Sequence, residues 1–130
     1  MRMKSLLTVS ALVELGAGAG LLCFPSASVA FLLGKPLQDS SNLIVALVCG
    51  GALLALGIAC WLARGDEGSH AARGLVVAML AYDVAAAIIL ASASLVHGLS
   101  GMGLWPAVVL HSGLSAWCLR SLVRSRQTSI

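Results

Sequence analysis

Four long stretches of this chain are almost free of charge: Ser5 to Phe24, Leu43 to Ala63, Gly74 to Val96 and Met102 to Leu119, with Glu14 and Asp83 as their only formal charges. Each has roughly the 17 to 25 residues that a helix needs to cross the hydrocarbon of a membrane. A backbone in lipid must satisfy its own hydrogen bonds, and none of the stretches alternates as a strand would, so helix is the predicted conformation. Composition agrees: 59% of the 130 residues are hydrophobic and 10% charged, with a mean hydropathy of +0.99, against about a quarter charged in an ordinary soluble domain. A body this small exposes roughly a third of its unfolded surface and cannot hide so much apolar area. The expected fold is therefore all-α, an integral membrane four-helix bundle in one membrane domain over residues 1–130, with the lipid bilayer as its first partner.

Short polar loops separate the spans: Gly34-Lys35-Pro36 and Asp39-Ser40-Ser41-Asn42, then Arg64 to Ser69, then His97 to Gly101. Pro25 is expected to end the first helix, leaving 26–33 as a short segment lying in the outer interface. Arg2, Lys4, Arg64, Arg73, Arg120, Arg124 and Arg126 fall on one side of the spans, and only Lys35 on the other. The positive-inside rule then puts both termini in the cytoplasm, and the expected location is the inner (plasma) membrane of a bacterial-type cell, crossed several times. Arg120, Arg124 and Arg126 would anchor the last helix against anionic headgroups. Arg2 and Lys4, an apolar run and Ser28-Val29-Ala30 imitate a signal peptide, but Glu14 interrupts the run, which is longer than the usual apolar region of about 7 to 15 residues. The net charge of +3 with a pI near 8.9 is too small and scattered for a nucleic-acid footprint.

Ionisable residues inside a span are expensive, about 2.5 to 3.5 kcal/mol at the centre on insertion scales. Glu14 lies nine residues past Ser5, Asp83 nine past Gly74 and His111 nine past Met102. Nine residues at about 1.5 Å each place all three near the midplane, which predicts one cluster facing the bundle interior. Tyr82 and Ser115 are the hydroxyl donors expected beside it. Close helix packing is expected from Gly16, Gly18 and Gly20 on the first span, answered by Gly50 and Gly51 on the second. Three readings of the cluster follow: a hydrogen-bond network that fixes helix register, a site that binds a ligand or handles protons, or a contact with a partner protein.

Other chemistries find little support. Cys23, Cys49, Cys60 and Cys118 contain no CxxC pair and read as small apolar residues. No phosphate loop, Ser-His-Asp order or cofactor fingerprint is present, so no cofactor is expected and a non-enzyme is favoured. Two carboxylates and an imidazole are metal-ligand types, but without a short motif such as HExxH no metal is expected either. His97 falls about 20 Å along the helix from Asp83, too far to share a haem with His111; it reads as an interfacial loop residue, and His70 as a solvated one.

In size and layout the chain resembles the small four-helix bacterial membrane proteins grouped as DoxX-like, with a Gly-rich first span and Gly50-Gly51-Ala52-Leu53-Leu54-Ala55-Leu56-Gly57 in the second. The roles of that group are mostly unassigned. Glu14 is also similar in placement to the carboxylate of small multidrug-resistance transporters, for which drug and proton compete. Those proteins lack a second intramembrane acid such as Asp83, and their aromatic segments have no counterpart here. The expected function is a small membrane protein that binds a hydrophobic or cationic ligand with proton linkage through Glu14, Asp83 and His111. The alternatives are an accessory subunit of a larger membrane complex, in contact with a membrane protein or further copies of itself, and, third, a lipid-modifying enzyme.

Overall fold

The computed structural model describes residues 3–66 and 68–127, without the side chains of 125–127. Arg2, Glu67 and the side chain of Arg126, all counted in the reading of charge and loops, lie outside the described residues. All regular structure among the described residues is helical: α1 (Met3–Cys23), α2 (Pro25–Leu33), α3 (Ser40–Ala63), α4 (His70–Leu95) and α5 (Leu104–Gln127).

Local chemistry sets the helix ends. Pro25 stands in the first turn of α2, where its missing N–H costs nothing, and Gly34 closes that helix at φ +81° with its N–H donating to the Ala30 carbonyl. Asp39 caps α3: its carboxylate accepts from the Asn42 backbone N–H at 2.8 Å, from Asn42 Nδ2 at 2.7 Å and from Ser41 Oγ at 2.5 Å. The Ser41 hydroxyl, then the Asn42 amide, hold the Asp39 carboxyl below its ordinary pKa. Ser69 caps α4 by accepting from the Ala72 N–H. These caps start α3 and α4 about one turn before the apolar runs at Leu43 and Gly74, because a hydropathy window finds lipid-facing residues whereas hydrogen bonds decide where a helix begins. No breaker follows Leu119, so α5 runs on as helix to Gln127.

The long helices alternate in direction. α1 lies closest to α3 and α4 closest to α5, while α1 also touches α5 and α3 touches α4, which gives the ring order α1, α3, α4, α5. Gly18 and Gly50 let α1 and α3 close up: a Cβ on Gly18 would lie 2.7 Å from the Leu54 backbone N and 2.8 Å from the Gly50 carbonyl O. Gly57 plays the same part against Leu15, and Gly20 faces Ser28 of α2. Gly16 and Gly51, expected at the same seam, point outward with nothing within 4 Å of a Cβ, because each lies on the far side of its helix from the residues in contact.

Polarity is arranged inside out. Val48 is 66% and Ile88 64% exposed, while Glu14 and Asp83 are 0% exposed. A water-soluble fold has the opposite order. α1, α3 and α4 are long and apolar enough to cross a membrane, with mean hydropathies of 1.8, 2.6 and 2.2. Their length and composition point to a membrane protein. The expected four equal spans thus separate into three and one: α5 has 24 residues, but His111, Ser112, Ser115 and its arginines make it less apolar than the others.

Candidate functional site

The buried apolar side chains gather in the half of the bundle that holds the start of α1: Leu6, Leu7 and Ala11 of α1 pack with Cys60 of α3, Val76 and Met79 of α4, and Leu114 and Cys118 of α5. Directly beyond this core come the buried polar residues. Ser10 and Glu14 stand one turn apart on one face of α1, Asp83 is the last buried residue of α4, and His111 sits one turn before Leu114 on α5. From Val84 on, α4 buries no residue. The polar cluster therefore lies at the depth beyond which α4 contributes no buried residue. The far end of the bundle is closed by α2 and the α4–α5 loop, where the Gly103 N–H donates to the Phe31 carbonyl at 2.9 Å.

His111 Nδ1 and Asp83 Oδ1 are 2.7 Å apart in a buried hydrogen bond between α4 and α5. Glu14 approaches from α1: one ligand atom from each of Glu14, Asp83 and His111 lies within 4.8 Å of the others. Tyr82 meets the His111 ring edge-on, with centroids 5.6 Å apart and planes at 85°, and its hydroxyl comes up to Glu14. Ser115, expected as a donor to a carboxylate, instead gives its proton to the His111 carbonyl at 2.8 Å, the local helix bond that serine commonly makes.

The Tyr82 hydroxyl comes near Glu14 without a well-formed hydrogen bond, so neither Glu14 oxygen has a partner of good geometry, nor does Asp83 Oδ2 or Ser10 Oγ, although all are buried. Nine in ten or more buried polar groups in proteins are paired. The sequence marks Ser10 only by its place one turn before Glu14; serine is common at apolar helix faces, and no spacing rule distinguishes one that lacks a partner.

The remaining polar features lie elsewhere. Cys60 and Cys118 are buried in the apolar core, whereas Cys23 and Cys49 are exposed, and all four are free thiols. Arg64 lies over the Trp61 ring, 3.4 Å from its centroid, and donates to the Trp61 carbonyl, as an interfacial anchor would. An open pocket of about 270 Å³ on α5 is lined by Gly113, Ala116, Trp117, Arg120, Ser121 and Arg124. Compared with protein family models, curated proteins and solved structures, the chain matches none.

Proposed function

We propose that this chain is a small polytopic membrane protein whose interior cluster of Glu14, Asp83 and His111 takes up and releases a proton or a cation. The observation that carries this reading is the fully buried Glu14 carboxylate with neither oxygen paired. An ionised carboxylate in that position is costly unless a proton or a cation accompanies it. Donor atoms within 4.8 Å of one another enclose something of atomic size, which favours a proton or an ion over the larger hydrophobic or organic ligand that composition alone allows. Access is along α4 beyond Asp83, where that helix buries no residue.

In this reading α5 is the fourth span, carried across by its packing against α4. Both ends face the cytoplasm of a cell whose inner membrane holds the protein, and α2 lies along the outer surface. The DoxX-like layout supports the same arrangement. The test is an infrared difference spectrum of the protein in lipid, between acidic and alkaline buffer, which reads the carbonyl stretch of a protonated carboxyl. A band that disappears in Glu14→Gln, with helicity unchanged, is the expected result. A band that survives the substitution, or neither a band at any pH nor a bound cation, refutes the reading.

One observation favours a second reading, the accessory subunit. Gly16 and Gly51 present open small-residue positions outward on α1 and α3, and such positions let another helix approach. Native mass after gentle extraction separates the two: a complex with other chains that Gly16→Leu or Gly51→Leu dissolves supports the subunit, and multiples of 13.2 kDa speak for the independent protein.

A further inference from the structure

We infer that the Glu14, Asp83 and His111 cluster is a binding site for one divalent first-row transition-metal ion. The inference deepens the reading above, on which it rests, by naming the cation. Three observations bear on it. The donors come from three helices and reach within 4.8 Å of one another. About one ion, with bonds of roughly 2.0 to 2.2 Å to nitrogen and carboxylate oxygen, ligand atoms stand some 3 to 4.3 Å apart, a contraction within reach of side-chain torsions. Buried valences are left open in the cluster: both Glu14 oxygens and Asp83 Oδ2 lack a hydrogen bond of good geometry, with the Tyr82 hydroxyl near Glu14, so an ion would supply what the protein donors leave unmet. Asp83 Oδ1 and His111 Nδ1 already meet at 2.7 Å, which keeps two of the three ligand residues side by side.

Charge and donor type narrow the ion. Two carboxylates and a neutral imidazole carry a charge of −2, which a single divalent ion cancels and a monovalent ion does not. In a low-dielectric interior that difference weighs heavily. A nitrogen donor among so few ligands is unlike the six to eight oxygens that Ca²⁺ takes or the water-rich octahedron of Mg²⁺. It suits zinc, iron or manganese. No thiolate takes part, since Cys60 and Cys118 belong to the apolar core. Three protein ligands leave coordination positions open, the pattern of sites that exchange or use what they bind rather than of closed structural sites. The absence of a short sequence motif does not weigh against this, because the fold gathers one ligand from each of three helices.

The test uses the full chain in lipid nanodiscs, stripped with chelator and titrated with Co²⁺, whose visible absorption reports its ligands. The expected result is one Co²⁺ per chain, displaced by Zn²⁺. Glu14→Gln and Asp83→Asn should each weaken binding by at least the ~10 to 100-fold that loss of an outer-shell partner costs, and His70→Ala/His97→Ala should leave it unchanged. Absence of binding, binding indifferent to both cluster variants, or loss in the His70/His97 variant overturns the assignment. Should the cluster variants fail to fold, X-ray absorption of the Zn²⁺-loaded wild type decides: one imidazole with oxygen donors supports it, and sulfur or two imidazoles refute it. If no ion binds while the Glu14 carboxyl band persists in the infrared experiment, the metal fails and the proton reading stands. Loss of both refutes both.

Discussion

Burying a carboxylate with neither oxygen hydrogen-bonded, as at Glu14, works against folding in lipid and in protein alike, so its removal should relieve the fold. Replacing buried charged groups by apolar ones of similar size, where no bonded partner is left behind, is often neutral or stabilising by about 1–4 kcal/mol. Glu14→Met should therefore unfold at the same or higher denaturant than wild type. Asp83 differs, because one of its oxygens is bonded to His111. Asp83→Ala leaves the imidazole Nδ1 without its partner and should cost about 1–3 kcal/mol. Unfolding titrations of both variants in mixed micelles check the contrast; equal destabilisation would make Glu14 a structural residue. At the surface, the Asp39 carboxyl titrates below its ordinary value because the Ser41 hydroxyl and then the Asn42 amide favour its charged form. A depressed folded value means that its capping contribution is present above the unfolded pKa, about 3.9, and is lost as pH falls through the folded one. The protection of the Asn42 amide, its exchange relative to an unstructured amide at the same pH, should fall on that descent, and in Asp39→Ala it should be low even at neutral pH.

At the level of elements, the α1–α3 seam turns on which glycines face it. Gly18 has no room for a methyl group, since the nearest atoms are backbone of α3, and Gly18→Ala should destabilise by about 1–3 kcal/mol through overpacking. Gly16 and Gly51 have nothing within 4 Å, so Ala at either position should be neutral or gain up to about 1 kcal/mol of helix propensity. Unfolding measurements on the three variants check this ordering. The Gly-rich run showed that α1 would pack closely, but spacing four joins Gly16 to Gly20 whereas the tightest contact is at Gly18, because the partner's position decides which face of a uniform small-residue run is used. Helix existence was legible throughout, since a long uncharged run admits no other conformation in lipid. Helix ends were not, because Asp39 and Ser69 act through single hydrogen bonds. The polar cluster was legible from depth alone, one ionisable group at the middle of each of three runs. Depth does not reveal pairing, so the Asp83–His111 bond, the open Glu14 and the turn of Ser115 to its own helix needed coordinates.

For the molecule as a whole, the open question of number of passes falls on α5. α1, α3 and α4 meet the length and apolarity of a span by themselves, whereas α5 falls short, with His111 and Ser115 in its middle. Both groups have partners inside the bundle: His111 bonds to Asp83 and the Ser115 hydroxyl to its own backbone. The polarity of His111 and Ser115 is thus turned away from the bundle's surface, while Val109 and Leu119 remain on the outside. With four crossings, Gly65, Gly68 and Arg124 lie on the cytoplasmic side and Lys35 and Ser100 on the other, the distribution of cations that insertion favours. In a parent with its four cysteines changed to Ala, Lys35→Cys and Ser100→Cys should react in intact cells with a maleimide that cannot cross the membrane. Gly65→Cys, Gly68→Cys and Arg124→Cys should react only after permeabilisation. If Arg124→Cys instead reacts from outside together with Ser100→Cys, α5 does not cross, and His111 would then have no route to the depth of Glu14 and Asp83. The same labelling pattern in an Asp83→Ala background shows whether the bond to α4 holds α5 in the membrane: external reactivity at Arg124→Cys should appear there if that one hydrogen bond carries the crossing, and stay absent if apolar packing around Leu114 and Cys118 suffices.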